Sequence, residues 1–150
     1  MKLLQASDAI RLSGLTAHQL REWCGRRAIV TPDVPAAGRG RHALFSWQTI
    51  LALRILNEVH SRFFVEVSAW TGAIGQCQKL LRGKSFPTLW GVSVVFPNTT
   101  EASLTQDRGT SSRNAWLVVH LDPHLSVLAT ADVLPPEQQL PLFAAVAVNR

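Results

Sequence analysis

The chain has 150 residues, 47% of them hydrophobic and 17% charged, with a formal net charge of +5. That length suits one domain or a small domain with a subdomain, and the composition excludes a disordered chain. Two cysteines without CxxC spacing exclude a disulfide scaffold and fit a reducing compartment. No apolar run is long enough for a membrane span, and Ser7, Asp8 and Arg11 interrupt the signal-like start Met1-Lys2-Leu3-Leu4, so a cytoplasmic protein without membrane contact is expected.

The positive charge is unevenly placed. Residues 1–84 hold 12 Lys and Arg against 5 Asp and Glu, whereas residues 85–150 hold 3 against 5. A cationic front half is the footprint expected of a protein that displaces counterions from a nucleic acid, the plain alternative being a solvated basic surface.

In chain order, a short helix over Asp8 to Leu12 would bury Ala9, Ile10 and Leu12, and Gly14 supplies the positive φ that a tight turn needs. Thr16 is the natural N-cap of a second helix, its hydroxyl accepting from the backbone near Gln19. Leu20 and Trp23, three apart, share the inward face, while His18, Gln19, Glu22 and Arg26 point outward. Helix, glycine turn and capped helix with a polar outer face is helix-turn-helix geometry, although an ordinary helical hairpin has the same spacing.

After Arg26-Arg27 a β-prone run, Ala28 to Thr31, leads into a Pro- and Gly-rich loop carrying Arg39, Arg41 and His42. Leu44-Phe45 would pair back on Ile29-Val30 to close a two-stranded wing, with Ser46 capping the next helix. On Ala9, Gly14-Leu15-Thr16, Leu20-Arg21, Trp23, Thr31-Pro32, the wing and Phe45-Ser46, residues 1–83 resemble the MerR-type winged helix-turn-helix family. The chain departs from the family pattern at Arg27, usually glycine, at Ala28, usually leucine, and at Ala43, commonly arginine; Arg39 and Arg41 would supply that charge from neighbouring positions.

From Ser46 to Phe63, Leu51, Ile55, Val59 and Phe63 recur every fourth residue with Leu56 beside them, and Arg54, Asn57, Glu58, Ser61 and Arg62 fall opposite. A further helix over Val65 to Arg82 carries Val67, Trp70, Ile74, Cys77 and Leu81 on one stripe, despite Gly72 and Gly75, and Gly83 ends it. The family's long dimer helix would follow here, but Phe86-Pro87 breaks the pattern.

Beyond Pro87 the period becomes two. Trp90 to Phe96 reads as a strand, Ala102 to Thr105 as a short one, Asp107 to Ser112 as a loop, Trp116 to Leu121 as another strand and Leu125 to Ala129 as a third, with an extended arm after Pro135-Pro136. Such a small sheet needs cover from a front-half helix or, preferably, from a partner subunit's sheet. The expected fold class is α+β: a winged helix-turn-helix with two following helices over residues 1–84, then a small β-rich dimerisation or partner-binding part over residues 85–150.

His120, Asp122 and His124 invite a metal reading, but Pro123 bends the string and no further ligand cluster lies near, so a turn with incidental histidines is the better reading. Cys24, beside Arg26 and Arg27, is either a stabilised thiolate poised for redox chemistry or a small surface or half-buried residue. There is no nucleophile elbow and no phosphate-binding glycine loop. No enzyme activity, cofactor or metal is expected.

The resemblance implies a sequence-specific, double-stranded DNA-binding transcriptional regulator acting as a homodimer. His18, Gln19 and Glu22 would sample base edges, Arg21, Arg26 and Arg27 would anchor phosphates, and Arg39, Arg41 and His42 would grip the strand from the wing. Trp23 would pack inward with its N–H reaching a phosphate, and the N-terminus capped by Thr16 would receive another. The alternatives are an architectural, excisionase-like DNA-bending factor and an antitoxin-like regulator whose C-terminal part grips a protein partner.

Overall fold

The computed structural model describes residues 2–106 and 115–134, so the expected Asp107–Ser112 loop and the arm after Pro135 lie outside the described residues. Among these it is mixed α+β, with six α-helices and a three-stranded antiparallel sheet ordered β2-β1-β3.

The front of the chain folds as local chemistry dictates. Helix α1 (Ala6–Ser13) ends at Gly14, whose φ of 76° lets its N–H reach back to the Ile10 carbonyl. Helix α2 (Ala17–Arg21) starts with a complete capping box: the Thr16 hydroxyl accepts from Gln19 N–H at 3.1 Å, and Gln19 Oε1 accepts from Thr16 N–H at 2.9 Å. It continues into a wider π turn, Glu22–Arg26, closed by Arg27 N–H on the Glu22 carbonyl at 2.7 Å. Leu20 and Trp23 are buried as the spacing required.

The loop expected as a wing closes through two isolated bridges, in a different register from the expected one. Leu44 pairs with Val34, and Phe45 pairs with Leu4 near the N-terminus, each through two backbone hydrogen bonds. Ile29 and Val30 do not take part, because both are core residues whose N–H groups already bond the Trp23 carbonyl, and Pro32 offers no donor. The base of the wing is tied down by Asp33, whose Oδ2 accepts from Ser46 N–H at 2.6 Å and from the Thr49 hydroxyl at 2.7 Å.

Helix α3 (Trp47–Phe63), capped by Ser46, is the axis of the molecule. Leu51, Ile55, Leu56 and Val59 are fully buried, but Phe63, expected on the same stripe, is 56% exposed, because the helix there runs past the core and stops at Phe64 with φ 52°. The face expected to meet solvent is instead half-buried at Arg54, Asn57 and Glu58. Asn57 donates to the Ser13 carbonyl at 3.2 Å and Arg54 to that of Leu12, so α3 holds the carbonyl end of α1 at the α1–α2 corner. The helix expected over Val65 to Arg82 is a 3₁₀ turn (Val67–Trp70) followed by α4 (Thr71–Leu81), with Ile74, Cys77 and Leu81 completely buried. Gly72 is explained by close approach: a Cβ there would meet Thr100 Cα at 3.3 Å.

A short helix α5 (Phe86–Leu89), with Pro87 in its first turn, leads to β1 (Ser93–Phe96), shorter than expected because Gly91 turns the chain at φ 78°. β1 pairs with β2 (Ser103–Thr105) on one side and β3 (Leu117–His120) on the other. The inner face needs no second subunit. Val94, Phe96 and Val119 join one continuous core with Ile74, Cys77 and Leu89, and Gln76 of α4 accepts from Ala102 N–H at 2.8 Å.

The expected strand over Leu125 to Ala129 is a helix, α6 (Asp122–Thr130). Asp122-Pro123 is a helix start rather than a turn: proline loses nothing in a first turn, and an acidic residue there meets the positive end of the helix dipole. Leu121, Leu125 and Leu128 then fall on one face, each with no exposed surface.

Candidate nucleic-acid interface

The second helix stands as a ridge between two clefts. On one side the π turn and α2 face the wing across a groove of about 540 Å³ that includes Leu20, Arg21, Cys24, His42 and Phe45. On the other, His18, Gln19, Glu22 and Trp23 face the α3–α4 junction across a cleft of about 240 Å³ completed by Arg27, His60, Glu66 and Val67. The ridge itself exposes Ala17, His18, Arg21, Gly25 and Arg26.

The expected site residues fall into three groups. His18, Arg21, Arg39, Arg41 and His42 are exposed, and none of their side chains has an ion pair or hydrogen bond with any described residue. The three arginines therefore present unneutralised charge on the ridge and the wing.

Thr16, Gln19, Glu22, Arg26 and Arg27 are engaged within the protein. Gln19 holds its carbonyl oxygen on the cap, so a bidentate contact to adenine would compete with the capping box. Glu22 lies 3.8 Å from Arg26 and 3.7 Å from Arg27, and Arg27 continues to Glu66 at 3.2 Å and to the Ser68 hydroxyl at 3.1 Å. The Glu66 carboxyl is drawn below the usual carboxylate range, chiefly by the Ser68 N–H and hydroxyl and then by Arg27. Arg27 thus bridges the end of the π turn to the α3–α4 junction.

Trp23 forms the third group alone. Its ring is only 4% exposed and meets His60 edge-on at 5.4 Å, while its carbonyl accepts from Ile29 N–H at 2.8 Å. It anchors the ridge to α3.

Cys24 is half-buried in the wing-side groove. Burial pushes its thiol up to about 12, the direction opposite to a stabilised thiolate. Among the described residues no His, Cys, Asp and Glu cluster is placed to hold a metal. The His-x-Asp-x-His string is pulled apart. His120 Nδ1 lies 2.7 Å from the Ser93 hydroxyl and Asp122 accepts from Gly91 N–H at 2.6 Å, while His124 turns into the core.

His124 is not incidental. Arg54 Nε–H donates to its Nδ1 at 3.3 Å, which leaves the proton on Nε2, 2.5 Å from Glu58 Oε2. With Nδ1 accepting, the imidazole is neutral, so that approach is a close polar contact rather than an ion pair. Glu58 also holds Arg62 at 2.9 Å. Burial, helped by Arg54 and opposed by Glu58, lowers the His124 pKa. The set joins α6, α3 and the Leu12 carbonyl of α1, linking the C-terminal part to the α1–α2 corner. Only the buried stripe of α6, read with a helical period, would have signalled it in the sequence.

No helix among the described residues is long and apolar enough to cross a membrane. Compared with known proteins, the chain matches no family model and no curated protein.

Proposed function

We propose that the chain binds double-stranded DNA through a winged helix-turn-helix head of MerR type, and that it works as a homodimeric, cytoplasmic transcriptional regulator. The observation that carries this reading is the placement of the unpaired arginines: Arg21 on the ridge, lining the groove, and Arg39 and Arg41 exposed on the segment between Ala36 and His42, which line its other side. Unpaired guanidiniums on two projecting elements release condensed counterions when they meet phosphates, and Arg is also the commonest bidentate reader of guanine.

In this reading Arg21 and His18 meet the major groove, and Arg39, Arg41 and His42 meet the backbone from the wing. Arg26 and Arg27 are held by Glu22 and Glu66 and shape the ridge. The front-half resemblance supports the regulator assignment.

The test is a salt series of mobility shifts on the duplex enriched from a randomised pool. Arg39→Ala or Arg41→Ala should weaken every sequence alike and lower the slope of log affinity against log salt by about 1 each. His18→Ala should relax preference at particular bases. Failure of the native chain to shift any duplex at low salt, or unchanged slopes in both arginine variants, would defeat the assignment.

A further inference from the structure

The groove between the ridge and the wing has a chemistry of its own. Its floor is Leu20, Cys24, Ala43 and Phe45, and Pro35 and Ala36 form its outer wall. No carboxylate, carboxamide or hydroxyl side chain lines it; its polar side chains, besides the neutral thiol, are Arg21 and His42. His42 also borders an adjoining hollow of about 510 Å³ that contains Arg41. The groove is therefore apolar at the bottom, with the Arg21 guanidinium on one rim and the His42 imidazole, next to Arg41, on the other.

If a helix occupies the major groove and a wing reaches the adjacent minor groove, the strand separating those grooves has to pass between them. That strand alternates anionic phosphates with sugars. A deoxyribose presents a methylene at C2′, which suits an apolar floor. A ribose presents a hydroxyl there, both donor and acceptor, and no lining side chain but Arg21 and His42 could meet it. The same rims would attract an acidic amphipathic peptide, but phosphates spaced along a strand match polar side chains on opposite rims, Arg21 and His42, across a floor whose side chains, the thiol apart, are apolar.

We propose that this groove is a deoxyribose seat: it receives the strand dividing the two DNA grooves, places phosphates at Arg21 and His42, and rejects a ribose at the seated positions. The proposal rests on the DNA-binding reading above and adds sugar selection to it.

The test uses the full chain and the enriched duplex, with single ribonucleotides, and separately single 2′-fluoro nucleotides, walked along each strand. Stranding a buried hydroxyl should weaken binding by roughly tenfold at one or a few adjacent nucleotides of one strand. The 2′-fluoro nucleotide shares the ribose pucker without the hydroxyl, so it should cost little at the same place. Ala36→Trp fills the groove from an exposed position and should abolish the shift while leaving the melting temperature unchanged. N-ethylmaleimide should label Cys24 slowly in the free protein and not in the DNA complex, with Cys77 silent because it is fully buried.

A duplex that binds tightly but shows a flat ribonucleotide profile, or equal losses for ribose and 2′-fluoro sugars, overturns the seat while DNA binding stands. Labelling of Cys24 in the saturated complex, or native-like binding by Ala36→Trp, does the same. Absence of any duplex binding overturns both.

Discussion

Replacing Asp33 by alanine tests how the wing is held. The carboxylate Oδ2 is the acceptor for Ser46 N–H and for the Thr49 hydroxyl, and both donors belong to residues no more than 1% exposed. A stranded buried donor costs about 1–3 kcal/mol. The Thr49 hydroxyl can recover part of that by turning to Ser46 Oγ at 3.2 Å, whereas the Ser46 amide has no second acceptor. The expected loss for Asp33→Ala is therefore about 2–4 kcal/mol, or roughly 5–15 °C in melting temperature for a chain of this size. Asp33→Asn keeps a carbonyl oxygen and loses only the charge, so about 1 kcal/mol should go. Urea denaturation followed by circular dichroism measures both, with an unchanged m-value showing that native compactness is retained. Mobility shifts on the folded Asn variant should then show weaker binding to all duplexes, since Arg39 and Arg41 ride on the segment that Asp33 pins. An alanine variant within about 0.5 kcal/mol of the native chain, the range of ordinary surface changes, would refute the argument.

Other perturbations address the ridge and the core. Ala28 sits at φ 49°, so Ala28→Gly should stabilise the fold by about 1 kcal/mol, seen as a melting temperature raised by a few degrees. Gln19→Ala removes one half of the capping box and should cost about 0.5–1 kcal/mol in the same assay, separately from any change in DNA preference. The His124 pKa is lowered from 6.5 in the folded chain, so the unfolded chain takes up its proton first. Its contribution to stability should be complete above about pH 6.5 and decline as the pH falls from there towards the folded value. His124→Asn should flatten that part of the pH–stability curve measured by urea titration, and an unchanged curve would contradict the burial argument. Arg54→Met removes the donor to His124 and to the Leu12 carbonyl, and should destabilise by about 2–4 kcal/mol, measured by urea melts.

The parts of this protein legible in the sequence are those whose determinants lie within a turn of each other. Gly14, the Thr16–Gln19 box, the Ser46 cap and the buried pair Leu20 and Trp23 each depend on residues one to four apart, and the structure places all of them as the spacing demands. The clustering of charge in the front half was equally open to reading, and the exposed arginines of the ridge and wing are where that charge appears. What the tertiary structure alone decided was set between distant residues. Phe45 chose Leu4 rather than Val30 because the Trp23 carbonyl had already taken the amides of Ile29 and Val30. Gln19 and Glu22, outward on a helical wheel, proved to be committed to a cap and to two arginines. Asp33 reaches Ser46 across 13 residues and Arg54 reaches His124 across 70, and nothing local marks either pair. Leu125 to Ala129 can alternate as a strand or repeat as a helix, and its burial against α3 selected the helix. Backbone preferences and caps act over a few bonds and so are written locally, whereas burial and hydrogen-bond pairing are settled by whichever groups the folded chain brings together.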